Sequence, residues 1–240
     1  MPEVVKMTPD SLISTIVEIR FMSKIPQEAI FGLVFQSLQS EYPQNTTTEL
    51  VQLPRKIRDE DSVLRYKALY GLNNDSVTVN IGPKVLVFNC HNGYLGWKLY
   101  YDKICSTLKK IENLNLIDTV ERIGLRYVNF FEGDIYPNLE ATIDIMGSNY
   151  KRDSLSITWK YTAKEYISNL RIDNSATLNR DNNQKSGSVL DIDSFFEKPF
   201  QYDYDRLIKV INDLHNEEKK LFGDILKKEF LKSKFKAVFK

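Results

Sequence analysis

Apolar and polar side chains alternate along residues 120–131, near the middle of the chain. Successive side chains of a β-strand point to opposite faces, so a half-buried strand shows this alternation. One predicted face carries mostly apolar residues: Ile123, Leu125, Tyr127, Asn129 and Phe131. The opposite face carries two arginines and a glycine among its residues: Arg122, Gly124, Arg126, Val128 and Phe130. We therefore predict a central strand with one face toward a hydrophobic core and two guanidinium groups on the other.

Short apolar runs and further alternation predict strands on both sides of this segment. In the first half, the predicted strands span residues 12–21, 50–53, 64–69, 77–81 and 85–88. In the second half, they span residues 139–146, 155–162, 166–178 and 188–195, and a polar loop is predicted over 179–185. Turn residues such as Asn73-Asn74-Asp75 and Gly82-Pro83-Lys84 separate neighbouring strands, a pattern typical of antiparallel hairpins.

Apolar residues recur three or four positions apart in four other segments, which is the spacing of one face of an α-helix. The first predicted helix runs from about Pro26 to Gln39, and the second runs from Trp97 to Asn113. Asp203 or Asp205 is expected to cap the longest helix. A final helix is predicted over about 224–235.

The order of these elements predicts an α+β fold, with mainly antiparallel twisted sheets and helices packed on one side. Lobe one, about 1–115, has the order strand, helix, strands, helix. Lobe two, about 116–240, has strands followed by two helices. The chain has no linker rich in Gly, Ser or Pro, so we expect the two similar lobes to form a single module over 1–240.

Composition narrows the classes of function. The chain has 42% hydrophobic residues, enough for a sizeable core, and its net charge of +1 does not favour a dedicated binder of highly charged partners. Cys90 and Cys105 are isolated, with no CxxC motif and no Cys/His cluster, so we expect reduced thiols and no structural zinc. No signal-peptide pattern and no apolar run long enough to span a membrane occurs. We predict a cytoplasmic protein that does not bind membranes.

Three arginines are candidates for an anion site. Arg122 and Arg126 share one strand face, and the guanidinium fork can bind a phosphate or carboxylate with two hydrogen bonds. Arg20, on the first strand, would join them if the two strands are neighbours. The alternative is an ion-pair ladder across the sheet, in which Glu18 neutralises the arginines. The sequence leaves both interpretations open.

Asp191 and Asp193 are candidates for a metal site, because their spacing places both carboxylates on one strand face. Oxygen ligands suit Mg²⁺ or Ca²⁺, but further ligands would be required. The alternative is a pair of solvated acids or partners of the arginines. No cofactor is predicted, although the two aspartates leave a divalent cation open. The chain has two histidines, and His215 is expected to be a packed, hydrogen-bonded residue rather than a general base.

The C-terminal segment alternates lysines with phenylalanines, which is compatible with nucleic-acid contact through Lys232, Lys234 and Lys236. A solvated helix face anchored by its aromatic residues explains the same pattern. The sequence contains no nucleophile elbow, metalloprotease motif, phosphate-binding loop or dinucleotide fingerprint. No catalytic residue is therefore predicted. The lack of a catalytic motif favours a protein that is not an enzyme.

Several short motifs occur in order along the chain: Glu18-Ile19-Arg20-Phe21, Gly96-Trp97, residues 122–129, residues 190–193, and Leu214-His215 followed by Phe222. On these motifs the chain resembles a sporadically distributed family of conserved hypothetical proteins from bacteria. The resemblance implies no established activity. That family's patchy distribution resembles the distribution of mobile accessory genes, such as the neighbours of toxin–antitoxin and phage-defence genes. The chain departs from the family in having a short segment between Phe131 and Leu155.

We therefore expect a non-catalytic binding or regulatory protein that acts through a protein partner. The resemblance implies an accessory or neutralising role in a toxin–antitoxin or phage-defence pair. One alternative is a phosphate-binding enzyme or sensor that uses the arginine and aspartate pairs. A second alternative is a nucleic-acid-binding protein that uses the lysine-rich tail.

Overall fold

The structure, a computed structural model, describes residues 4–8, 10–141, 154–180, 183–236 and 238–239. Its first elements are β1 (Val4–Lys6), β2 (Leu12–Ser23), α1 (Gln27–Leu38), β3 (Gln44–Thr47), α2 (Arg55–Glu60), β4 (Tyr70–Asn73), β5 (Val77–Gly82), β6 (Val85–Cys90) and α3 (Trp97–Glu112). The later elements are β7 (Ile117–Glu132), β8 (Ser156–Ala163), β9 (Tyr166–Arg180), β10 (Asn183–Phe196), β11 (Phe200–Gln201), α4 (Tyr204–Ile225), α5 (Lys228–Phe235) and β12 (Val238–Phe239).

The strands form one large sheet and one small sheet. The order in the large sheet is β3-β4-β5-β6-β2-β7-β10-β9-β8, and β11 pairs with β7 outside this path. β1 and β12 form a separate two-stranded sheet. Adjacent strands such as β5 and β6 or β8 and β9 are antiparallel hairpins. The predicted α+β class, with a mainly antiparallel sheet and helices on one side, is confirmed.

The chain contains two compact units. Unit 1 comprises Met1–Ile13, Arg126–Ser194 and Leu214–Lys240, and unit 2 comprises Ser14–Leu125 and Phe195–Asp213. β2, β7, β10 and α4 each contribute residues to both units. The lobe boundary predicted near residue 115 falls inside unit 2.

Each unit buries its own set of hydrophobic side chains. In unit 2, α1 packs against β4, β5 and α3, because its buried residues recur at helical spacing: Ile30, Val34 and Leu38. In unit 1, one buried cluster joins strands and helices: Phe131, Ile135, Tyr136, Leu139, Leu170, Ile172, Leu190, Ile192, Ile225, Leu226 and Leu231. Asp203 caps α4, since its Oδ1 accepts a hydrogen bond of 2.9 Å from the Arg206 backbone amide.

Two predicted strands are wrong. Glu49–Gln52 and Leu64–Tyr66 are short 3₁₀ helices. At the second site, Asp61 Oδ1 accepts hydrogen bonds of 2.8 Å from the backbone amides of Val63 and Leu64, which bends the chain into a turn. A short apolar run does not distinguish such a turn from a strand.

Three other predictions change at their boundaries. The polar loop predicted over 179–185 is largely strand, because residues 179–180 belong to β9 and residues 183–185 belong to β10, while residues 181–182 lie outside the described residues. In the strand predicted over 139–146, residues 139–141 form no strand, and residues 142–146 lie outside the described residues. The predicted final helix is divided between α4 and α5, because Leu226 leaves the helix to form a β-bridge with Leu139.

Within the described residues, no helix combines the length and apolar character required to cross a membrane.

Candidate functional site

Arg20 and Arg122 lie in one ion-pair group with Glu18 in unit 2. Glu18 Oε1 accepts hydrogen bonds from Arg122 Nη1 at 2.8 Å and from Arg20 Nε at 2.7 Å. The Arg122 side chain is only 13% exposed, and its Nε lies 3.7 Å from Glu197. Its guanidinium also lies over the Phe195 ring, 4.5 Å from the ring centroid. The ion-pair alternative given above for this pair of arginines is therefore present in the structure.

The space beside Gly124 is filled by the Arg122 side chain and is not open to a ligand from solvent. A Cβ atom at Gly124 would lie 2.6 Å from Arg122 Nη1. The glycine therefore allows the guanidinium to lie along its own strand, where it reaches Glu18.

Arg126 belongs to a different group, in unit 1. Its Nε donates to Asp191 Oδ1 at 2.8 Å, and its Nη2 donates to Asp191 Oδ2 at 2.6 Å. This is a bidentate pair, in which the Arg126 side chain is 46% exposed and the Asp191 side chain is 13% exposed. A phosphate or carboxylate ligand would have to compete with Asp191 for this guanidinium. The structure thus joins Arg20 with Arg122 through Glu18, and it joins Arg126 with Asp191.

A buried acid, Glu218 on α4, lies beside the two aspartates. Its side chain is 1% exposed, and neither carboxylate oxygen has a hydrogen-bond partner among the described residues. Burial raises the pKa of Glu218 well above its ordinary value, the charges of Asp193 and Asp191 add to the rise, and the nearby Ser194 backbone amide opposes it only in part. Burial therefore favours the protonated, neutral form of Glu218.

Glu218 was missed by the sequence analysis, although a signal was present. The apolar stripe of α4 contains Leu207, Ile211, Leu214 and Leu221, and Glu218 falls at the next position of the same helical spacing. An acid in an apolar stripe indicates a buried carboxyl group. Across the described ranges, however, no group of three His, Cys, Asp or Glu side chains is arranged to hold a metal ion.

His215 is packed and hydrogen-bonded, as predicted. Its Nδ1 lies 3.1 Å from the Tyr127 hydroxyl. Burial lowers the pKa of His215 to about 3, and the charge of Lys219 contributes to the fall. The imidazole is therefore neutral at physiological pH and suits a structural role better than proton transfer.

The lysine-rich tail separates its charged residues from its aromatic ones. Lys232, Lys234 and Lys236 are exposed. Phe230 and Phe235 are partly buried, with ring centroids 5.8 and 5.4 Å from that of Phe131 in the unit 1 core. Their contacts support the interpretation of the aromatic residues as anchors of a solvated helix face.

β8 forms an end of the large sheet. Among the described strands it pairs only with β9. Ile157 and Trp159 contact the unit 1 core, whereas Tyr161 is 44% exposed. The opposite face is polar and exposed: Ser156, Thr158, Lys160 and Thr162. An edge strand offers free backbone hydrogen-bonding groups, and a charged residue within it reduces indiscriminate pairing.

No protein-family model matches the chain, and no curated protein matches it.

Proposed function

We propose that this chain is a non-catalytic binding protein that acts through a protein partner, and that an extended segment of the partner pairs with β8. The observation that carries the proposal is the position of β8 at an end of the large sheet, with β9 as its one neighbour among the described strands. Strand addition of this kind uses the backbone for affinity and alternate side chains for specificity.

The register of the hairpin identifies the backbone groups that would bind the partner. Ala163 pairs with Tyr166 across a two-residue loop. In such a hairpin the pair beside the loop exchanges both hydrogen bonds, and every second pair does the same. Residues 157, 159, 161 and 163 thus bond to β9, whereas the amides of Thr158, Lys160 and Thr162 point away from it. These outward amides are the proposed donors to the partner strand.

The side chains of β8 would select among partners. Lys160 lies at the middle of the exposed polar face, and Tyr161 is the large exposed side chain on the other face. Opposite charges on adjacent strands stabilise pairing, and like charges oppose it. We therefore expect a partner strand with an acidic residue beside Lys160 and an apolar residue beside Tyr161.

The internal pairing of the charged residues also supports a binding role. Arg122 is held by Glu18, and Arg126 is held by Asp191, so a ligand anion would have to displace a carboxylate of the protein. The resemblance to a mobile bacterial family favours a cytoplasmic partner encoded nearby. An accessory or neutralising role in a toxin–antitoxin or phage-defence pair would fit this arrangement.

The test is affinity capture from native cells with the tagged protein, followed by reconstitution of the complex from purified components. Lys160→Pro removes one outward amide and adds a ring at the free edge, whereas Lys160→Ala keeps the amide and serves as the matched control. We expect the proline variant to lose the reconstituted complex and the alanine variant to retain most of it. Circular dichroism would show that both variants are folded. Equal binding by folded Lys160→Pro would exclude β8 as the docking strand.

A further inference from the structure

Residues 227–236 concentrate positive charge that the chain as a whole lacks. This segment contains five lysines and one glutamate, whereas the net charge of all 240 residues is +1. Lys227 directly precedes α5, and Lys236 directly follows it. Lys232, Lys234 and Lys236 are exposed. The positive charge is therefore local to one part of unit 1.

Three of these lysines form a row along one side of α5. Residues four positions apart lie one above the other on an α-helix, so Lys232 lies one turn beyond Lys228, and Lys236 follows one turn later at the C-terminal cap. Neighbours in the row are about 6 Å apart along the helix axis. Lys234, by contrast, lies about 160° around the axis from Lys232. The lysine row thus consists of Lys228, which is partly buried, and of Lys232 and Lys236, which are exposed.

The stability of the helix does not explain the lysine row. The N-terminal end of a helix carries partial positive charge, yet Lys228 is the first residue of α5. Like charges four residues apart also destabilise a helix. Lys236 has a φ of 42°, in the left-handed region where glycine commonly ends a helix. Lys228 and Lys236 thus occupy positions where lysine does not favour the helix, which indicates that the row binds an anion.

The apolar face of α5 is occupied by the core of unit 1. Leu231 is fully buried, and the rings of Phe230 and Phe235 pack on Phe131. The Thr8 backbone amide donates to the carbonyl oxygen of Phe235 at 2.6 Å. A helix that binds a membrane surface inserts its apolar face between the lipids. Because this face already packs on the protein, the arrangement favours a nucleic acid over a membrane.

The residue type and spacing of the row also favour a nucleic acid over an acidic protein. Lysine is depleted in protein–protein interfaces, which are enriched in aromatic residues. Nucleic-acid backbones, in contrast, bind lysine through their phosphates. Each strand of a duplex carries one phosphate per about 3.4 Å of its axis, so the spacing of the row is close to that of every second phosphate. A helix that lies along the strand places each lysine of the row beside a phosphate.

We propose that the lysine row binds the phosphate backbone of a nucleic acid without sequence preference. Lys228, Lys232 and Lys236 each contact a phosphate, and no base is read. This binding uses the solvent side of α5 and does not depend on the strand pairing proposed for β8.

The test is fluorescence anisotropy of a labelled DNA duplex of about 20 base pairs, titrated with the full chain at about 50 to about 200 mM salt. Release of counterions from three phosphates predicts a slope of about −2.7 for log K against log salt concentration. We expect a Kd of about 10 μM at the lowest salt. An RNA duplex of the same sequence is the second probe, and tighter binding to one duplex identifies the class of nucleic acid.

Variants on the two sides of α5 assign the contact. Lys232→Gln combined with Lys236→Gln should reduce the size of the slope by about two and weaken binding at least about ten-fold, because two phosphate contacts are lost. Lys234→Gln makes the same change on the other side of the helix and is the matched control, with slope and affinity unchanged. Glu229→Gln removes the acid one turn before Lys232 and should tighten binding about two-fold, a gain that misfolding cannot produce.

Circular dichroism confirms that each variant is folded. The proposal is overturned if neither duplex binds at about 1 mM protein in low salt, or if Lys234→Gln weakens binding as much as the double variant does. It is also overturned if polyglutamate or vesicles of anionic lipid compete as well as unlabelled duplex at equal charge, since the row would then bind acidic proteins or membranes.

Discussion

Arg122 and Arg126 lie four residues apart on the same strand, yet their surroundings differ. The Arg122 side chain is 13% exposed, lies over Phe195 and shares Glu18 with Arg20. The Arg126 side chain is 46% exposed and binds one carboxylate, that of Asp191, with two hydrogen bonds. Water screens an exposed pair and replaces its hydrogen bonds when it is broken, whereas a buried ion left alone has no such replacement. We therefore expect the ion pairs of Arg122 to contribute more to the free energy of unfolding than the ion pair of Arg126, although both arginines lie on the same strand.

The two units also differ in how their buried or half-buried carboxyl groups are accommodated, with Glu18 in unit 2 and Glu218 in unit 1. Glu18 satisfies its charge by binding two guanidinium groups. Glu218 has no hydrogen-bond partner among the described residues and lies near Asp191 and Asp193, so its buried site favours the neutral acid. The two carboxyl groups thus lie in different surroundings: one is paired with cations, and the other is buried where the protonated form is favoured.

The largest expected effect is the pH dependence of Glu218→Gln. The folded pKa of Glu218 is raised, so the folded state binds a proton that the unfolded state releases above about pH 4.3. The stability contributed by this proton is complete below that pH and is lost as pH rises through the folded pKa. Glutamine does not titrate. The stability of the variant relative to the wild type should therefore increase with pH, by at most about 1.4 kcal/mol per pH unit.

Urea unfolding of both proteins between about pH 5 and about pH 8 measures this difference. Glu229→Gln, the same change at an exposed position of α5, is the matched control. A difference between Glu218→Gln and the wild type that stays constant over this range would mean that Glu218 titrates alike in the folded and unfolded states.

The second expected effect is the loss of stability in Glu18→Gln. This change keeps the shape of the side chain but removes the charge that holds Arg122 and Arg20. Arg122 would retain Glu197, whose carboxylate lies 3.7 Å away. We expect a loss of about 2 kcal/mol in the free energy of unfolding at neutral pH, because a largely buried guanidinium loses its main partner. Arg20→Ala is the comparison, and its smaller loss would indicate that Arg122 carries most of the interaction.

Long regular patterns were predictable from the sequence, whereas short apolar runs were predictable in some places, such as 77–81 and 85–88, and not in others. The alternation over residues 120–131 falls within the strand Ile117–Glu132. It was predictable because many successive positions follow the same two-residue period. The run over residues 64–69 covers too few positions, and hydrogen bonds from Asp61 decide its conformation. Apolar periodicity cannot show such a local side-chain bond.

The sequence named the charged residues of the two ion-pair groups, but it left open whether they pair with one another or bind a ligand. The sequence placed Glu18 and Arg122 on strands that could be neighbours, and β2 and β7 are adjacent in the sheet. It offered Asp191 as a metal ligand or as a partner of an arginine, and only the strand order joins it to Arg126, 65 positions away. Charged side chains form pairs through tertiary contacts, which a single sequence does not contain.

The smallest expected effect is that of Asp191→Asn. Arg126 is nearly half exposed, so water can solvate its guanidinium when Asp191 loses its charge. The charge of Asp191 also raises the pKa of Glu218, so its removal relieves part of the cost of burying that acid. The two effects oppose each other, and we expect a net loss below about 1 kcal/mol in urea unfolding at neutral pH. Arg126→Ala, which removes the pair but keeps the Asp191 charge beside Glu218, should be the more destabilising of the two. A loss in Asp191→Asn greater than the loss in Glu18→Gln would reverse the order of the two ion-pair groups, and burial would then not explain their difference.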